Sequence, residues 1–191
     1  KPLTDYSKYK ALCEEALLQK RTAGFTTLIL RPATVCGYSP RMRLDLTVNI
    51  LTNHAVNKGM ITVFGGDQMR PNIHIEDMTD LYVQALQWSE NSIDGKIFNA
   101  GFENQSVHKL SETVRDVIGQ DVRLVTTHTD DNRSYHISSR KIRDELGFEA
   151  QHSIRQAVED LRDAFDKGKL PNSLTDEKYF NIDRMKSVNL T

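Results

Sequence analysis

Tyr6 and Lys10 lie four residues apart, so on a helix their side chains share one face about a turn apart. At that spacing a phenol and an ammonium can work as a unit. A free phenol, with a pKa of about 10, is a poor base at neutral pH, and a neighbouring cation favours its phenolate. Paired in this way, Tyr6 would take a proton from a substrate hydroxyl as a general base. The same spacing also fits an ordinary helix with a half-buried tyrosine beside a solvated lysine. Arg41 and Arg43 either meet a sugar or phosphate group or are solvated loop charges. His74, in the run Asn72-Ile73-His74-Ile75, reads as a hydrogen-bonded structural histidine, and Asp77 reads as a helix N-cap. Cys36 has no base at nucleophile spacing, which argues against thiol catalysis.

These residues need elements to hold them. Ala11, Leu12, Ala16 and Leu17 recur at helical spacing and predict a helix over about 6–22 closed by Gly24. Thr26 to Leu30 is short, β-branched and apolar and predicts an interior parallel strand that stops at Arg31-Pro32. The C-terminal edge of such a strand is where α/β sheets bind ligands. Pro32 to Leu44 reads as a loop, followed by a helix capped by Asp45 and ending near Gly59. Strands are expected at 61–64 and 72–75 around a Gly65-Gly66-Asp67 turn, then a helix at 76–89 and a strand at 97–100. Helices at 107–118, 139–146 and 154–165 and a strand at 122–125 complete the pattern. The polar stretch after Gly168 reads as a tail.

The 25 basic and 26 acidic residues are spread along the chain and leave a formal charge of -1, which gives no reason to expect nucleic acid as a partner. Two cysteines, Cys13 and Cys36, are too few for a disulfide scaffold, and the six histidines lack ligand spacing, so no metal is expected. No apolar run has the roughly 18 residues a membrane span requires, and the expected setting is cytoplasmic.

With the order of elements in place, a resemblance becomes specific. Tyr6-Ser7-Lys8-Tyr9-Lys10 through Glu14 resembles the YxxxKxxxE helix of the extended short-chain dehydrogenases that act on nucleotide-activated sugars. Thr27 to Val35 resembles the strand and turn that follow it. Ile61 to Met78 is similar to the family's strand, glycine turn, arginine and HIxD stretch, and Ile97 to Gly101 to its FNxG strand. Arg133, Lys141-Ile142 and Leu146-Gly147-Phe148 resemble its ending. Tyr9 departs from the family's usual small hydroxyl residue.

The resemblance implies an α/β fold: the C-terminal part of a Rossmann-type doubly wound sheet plus a smaller α/β substrate-binding subdomain. Residues 1–37 would close the NAD-binding region and 38–168 would form mainly the substrate subdomain, with strand 97–100 returning to the Rossmann sheet and 169–191 a tail. It implies an NAD-dependent epimerase or dehydratase, NADP not being distinguished, acting on a nucleoside-diphosphate sugar by Tyr-assisted hydride transfer at a hydroxyl-bearing carbon. Tyr6 would be the base, and Lys10 would hold the nicotinamide ribose and favour the phenolate. Pro32, Ala33 and Val35 would meet the cofactor, and Thr34, Asn49, Phe64, Arg70 and Arg133 the substrate, the two arginines as a diphosphate clamp. A homodimer through the Tyr6/Lys10 helix is also implied.

No glycine-rich GxxGxxG turn occurs in the 191 residues, so the expectation is of a fragment inactive alone, with the pyrophosphate-holding part upstream. The alternative is a non-catalytic nucleotide-binding or oligomerisation module of the same fold, in which the Tyr6/Lys10 pair would have no chemical purpose.

Overall fold

Short apolar runs bounded by glycine and proline become the strands, and amphipathic stretches between them become the helices. The computed structural model describes residues 5–130 and 134–190. It begins with α1 (Asp5–Gln19), β1 (Leu28–Pro32) and β2 (Thr34–Cys36). α2 (Thr47–Lys58) ends at Gly59, whose φ of 60° gives the left-handed turn that closes a helix without a Cβ penalty. β3 (Met60–Phe64), β4 (Met69–His74), α3 (Ile75–Ala85), α4 (Glu90–Ile93), β5 (Lys96–Ala100) and β6 (Glu103–Ser106) follow. α5 (Val107–Ile118), β7 (Arg123–Thr127), α6 (Arg140–Leu146), α7 (Ile154–Asp166) and α8 (Asn181–Ser187) complete the chain, with a 3-10 turn at Glu177–Tyr179 before α8.

β1 pairs in parallel with β5, from Leu28 opposite Lys96 to Pro32 opposite Ala100. β3 pairs in parallel with β7, and β4 lies between parallel β2 and antiparallel β6. This is a Rossmann-type α/β arrangement. β2 falls inside the segment expected as a loop, because three residues are too few to show a period. β6, Glu103-Asn104-Gln105-Ser106, has no apolar signal and is a strand only because it completes the hydrogen bonds of β4.

Three apolar clusters hold these elements. Val48 and Leu51 of α2 meet Ile61 and Val63 of β3, Leu110 and Val114 of α5 and Ala157 and Val158 of α7. Phe98 and Ala100 of β5 pack with Ile73 of β4, Leu81 of α3 and Ile142 of α6. The third cluster corrects an expectation: Leu170 and Tyr179 are buried with Met42, Leu44, Leu161 and Ala164. The stretch after Gly168 is therefore packed at least as far as Tyr179. Its two apolar anchors are separated by a mostly polar stretch without a helical period, so composition conceals them. Polar contacts fix it too, with Asn53 Nδ2 donating to the Ser173 carbonyl at 3.0 Å and the Leu44 amide to the Tyr179 carbonyl at 2.9 Å.

α1 differs from every other long helix in having no buried residue. What orients it is ionic. The Arg31 guanidinium at the end of β1 donates through Nε and Nη2 to both carboxylate oxygens of Glu14, and those hydrogen bonds hold the Glu14 carboxyl below its ordinary range against the opposing effect of burial.

Candidate active site

β1 delivers the chain at Pro32 to a crossing point where the Ala33 amide donates to the Ala100 carbonyl of β5 at 2.7 Å. From there Thr34 and Val35 run on into β2. Beyond the end of β1 lies a cleft of about 890 Å³, with Pro32, Ala33, Thr34 and Val35 on one wall and Tyr6 of α1 on another. Tyr6 is 72% exposed. Lys10 Nζ stands 5.8 Å from the centroid of its ring, so one helical turn does put the two on the same face.

The far wall is the segment from Gly37 to Asn49, and Asn49 shapes it. Its side chain is buried, Oδ1 accepting from the Gly37 amide at 3.1 Å and Nδ2 donating to the Arg43 carbonyl at 2.8 Å. Asn49 thus lines the cleft while its amide group pins both ends of a loop. Gly37, at φ 102°, is required there: a Cβ would lie 3.1 Å from His74 Nε2 and 3.2 Å from Ile75 Cγ2.

Asp45, expected to cap α2, does something else. The N-cap is Leu46, with no side-chain cap, and the Asp45 carboxylate takes Arg43 Nε and Nη2 at 3.0 and 3.1 Å and the Asn181 amide at 3.0 Å. Burial pushes that carboxyl up, but Arg43 and the Asn181 amide outweigh it and hold it below the usual range. Arg41 Nη2 donates to Asn181 Oδ1 at 2.9 Å. Both arginines line the cleft.

Arg70 lies in an adjoining pocket of about 150 Å³ that shares Thr34, Leu46 and Tyr135 with the cleft. Its guanidinium carbon is 5.7 Å from the Tyr135 ring centroid, and Nη1 donates to the Met69 carbonyl at 3.0 Å. Phe64 stands apart. It is 61% exposed at the end of β3, opposite Thr127, and lines neither cavity. Arg133 falls outside the described residues. Lys10 does not line the cleft. Tyr135, Asn181 and Met185 do, and no motif points to them; only the folded path of the chain brings them there.

Behind the Gly37 turn sits a histidine cluster that sequence spacing could not reveal, because its members are 78 residues apart. His74, 1% exposed, caps α3 by accepting the Glu76 amide at Nδ1. Asp77, expected as that cap, instead accepts the Gln151 and His152 amides and His152 Nδ1 at 2.8–3.0 Å. His152 Nε2 is 3.1 Å from Glu76, its ring stacks on His74 at 5.0 Å, and Asp77 above all raises its pKa. The ligand atoms of His74, Glu76 and His152 lie within 4.8 Å of one another. Because His74 Nδ1 is engaged in the α3 cap, only its Nε2 is left to face a metal ion. That Nε2 lies 3.2 Å from Asp160. Cys36 is inert as a nucleophile, with burial pushing its thiol up to about 12.

A cleft beyond the carboxyl ends of parallel strands is where Rossmann-type α/β sheets take their ligands. The chain belongs to the NAD dependent epimerase/dehydratase family, whose model matches residues 1–101. It is 24% identical over 171 residues to a UDP-glucose 4-epimerase of Azospirillum brasilense, covering 79% of this chain and 49% of that protein. A Thermotoga maritima UDP-glucose 4-epimerase solved with UDP-glucose shares the fold at a TM-score of 0.76 and 23% identity, over 88% of this chain and 55% of that one. A Bacillus cereus UDP-glucuronic acid 4-epimerase, solved with UDP-glucuronic acid and NAD, does so at 0.75 and 23%, over 87% and 54%. The chain thus spans about half the length of these relatives. Among the described residues, no helix is long and apolar enough to cross a membrane.

Proposed function

We propose that these residues belong to an enzyme that binds NAD, or NADP, and acts on a nucleoside-diphosphate sugar at a hydroxyl-bearing carbon, with epimerisation the leading reaction and dehydration, decarboxylation and carbonyl reduction its rivals. The observation that carries the reading is the cleft. Tyr6, the Pro32–Val35 wall and two arginines converge on one space of about 890 Å³, within the range of small-molecule and cofactor sites. The relatives named for epimerase activity, two of them solved with UDP-sugars, supply the substrate class.

The residues present suit the nicotinamide end of the cofactor. Pro32 to Val35 offer backbone and small side chains at a strand end, and Lys10 lies a turn from Tyr6 to meet a ribose hydroxyl. Bound NAD supplies the hydride acceptor. The chain's own task is to take and return the hydroxyl proton at the Tyr6 phenolic oxygen, to keep Lys10 beside that phenol, and to hold the diphosphate through Arg70, with Arg133 as its second ligand. A cation is suited to this because phosphate oxygens accept two parallel hydrogen bonds from one guanidinium.

The test is incubation of the full-length enzyme that carries these residues, rather than the 191 residues alone, with NAD and a panel of UDP-glucose, dTDP-glucose and GDP-mannose, with products identified by mass and NMR, in parallel with Tyr6→Phe. Turnover should fall at least about 10²-fold in the variant while sugar-nucleotide binding is kept. Near-normal turnover in Tyr6→Phe would remove Tyr6 as the base.

A further inference from the structure

α8 is placed oddly for a helix that buries none of its residues. Asn181 and Met185, one turn apart on it, line the same cleft as Tyr6. Yet α8 has no buried residue, and Ile182, Met185 and Val188 are 67%, 50% and 43% exposed. What keeps it at the cleft mouth is polar and gathered at its first residue. The Asn181 amide donates to Asp45 and its side-chain carbonyl accepts from Arg41. Behind it, Arg184 and Ser187 both donate to Glu177 of the preceding 3-10 turn, which fastens the helix to that turn and not to the body of the fold.

Two consequences follow from this arrangement. An element with exposed apolar side chains and few buried contacts has little free energy opposing its movement and gains by burying that surface. Its anchor is also made of groups a ligand would compete for. Arg41 and Arg43 both face the cleft, and Arg43 holds the carboxylate that holds Asn181, so an anion entering the cleft acts on the residues that set the position of α8.

We propose that α8 is a lid over the substrate cleft: it folds inward on an occupied cleft, and Asn181 and Met185 then contact the sugar opposite Tyr6, with Asp45, Arg41 and Arg43 as the linkage between the charged part of the ligand and the helix. The inference rests on the nucleoside-diphosphate-sugar reading above. Closure would exclude water from the space in which Tyr6 exchanges its proton, and Met185 would help to determine which sugar is accepted.

Amide hydrogen exchange over residues 182–188 tests this in the whole protein, alone and with UDP-glucose, dTDP-glucose, GDP-mannose and the corresponding nucleoside diphosphates. Exchange there should slow at least about tenfold with the sugar nucleotide that binds, while α5 is unchanged. Met185→Ala, a surface change that should not disturb folding, should weaken that sugar nucleotide about tenfold and its nucleoside diphosphate by less than about twofold, whereas a chain ending at Phe180, which also removes Asn181, should weaken both. If the sugar nucleotide binds but exchange in α8 and both affinities are unmoved, α8 is not a lid and the substrate reading stands. If no member of the panel binds, the substrate reading fails and the lid with it.

Discussion

Arg70 and His152 show how differently two basic side chains can act. Arg70 stacks near Tyr135 in a pocket that opens at Thr34, a position suited to a group bound alike in the ground and transition states. Arg70→Ala should therefore raise KM for a nucleoside-diphosphate sugar about 10- to 100-fold, corresponding to about 1.5 to 3 kcal/mol for a charge-assisted contact, with a smaller change in kcat. Equal losses with a free sugar would overturn the clamp. His152 works on stability. Asp77 and Glu76 flank it, Asp80 adds to their field, and His74 stacks against it with Asp160 beyond. Its pKa is raised in the folded state, first by the Asp77 hydrogen bond, so its protonated form favours folding. That contribution is complete below the unfolded histidine value of about 6.5 and is lost as pH rises through the higher folded value. The gap in Tm between the protein and His152→Gln should be widest near pH 6 and shrink towards pH 8. A gap that widened with pH would show that the imidazolium is not what matters.

At the scale of elements, the turn from β2 into the cleft wall is a tight joint in the site. Gly37 adopts φ 102° against His74 and Ile75, and its amide is held by Asn49. Gly37→Ala should cost about 1 to 2 kcal/mol for the disfavoured backbone alone, lowering Tm by roughly 2 to 8 °C. It should also raise KM, because the wall carrying Arg41 and Arg43 would shift. Thermal melts and steady-state kinetics check both, and an unchanged Tm would mean the turn relaxes freely. Much of this scaffold was legible in the residues. Gly59, Gly147 and the apolar periods mark α2, α5, α6 and α7, and β1 and β5 stand out as short apolar runs. β2 and β6 did not stand out, being short or polar and existing through pairing with β4. While Ala33, Thr34 and Val35 were singled out by the family resemblance, the Tyr6/Lys10 face was readable from spacing and a ligand edge at Pro32 from the strand end. The Asp45–Asn181 link and the His74–His152 stack were not, since each joins residues remote in sequence through a fold that local pattern does not encode.

At the scale of the whole molecule, the proposed function gives the 191 residues one end of a dinucleotide site. On that reading they would provide Tyr6, Lys10 and the Pro32–Val35 wall for the nicotinamide side, and they contain no GxxGxxG turn opening a helix. In Rossmann-type sheets that turn and helix N-terminus hold the pyrophosphate and give most of the dinucleotide affinity. This chain, expressed by itself, should therefore not bind NAD in the micromolar range or turn over substrate, even with its tyrosine and lysine in place. Its surface points the same way. α1 buries none of its residues, Tyr9 and Leu12 are exposed along it, and among the described residues β1 is bonded to a neighbour on one edge only, that of β5. An apolar helix face beside an open strand edge favours association, and we propose that α1 packs against a second copy of the chain. Calorimetry with NAD and light scattering on the 191-residue chain should show no micromolar binding and a species larger than the monomer. A clean monomer that binds NAD at micromolar concentration would place the pyrophosphate site within these residues and overturn the assignment of the cleft to the nicotinamide end alone.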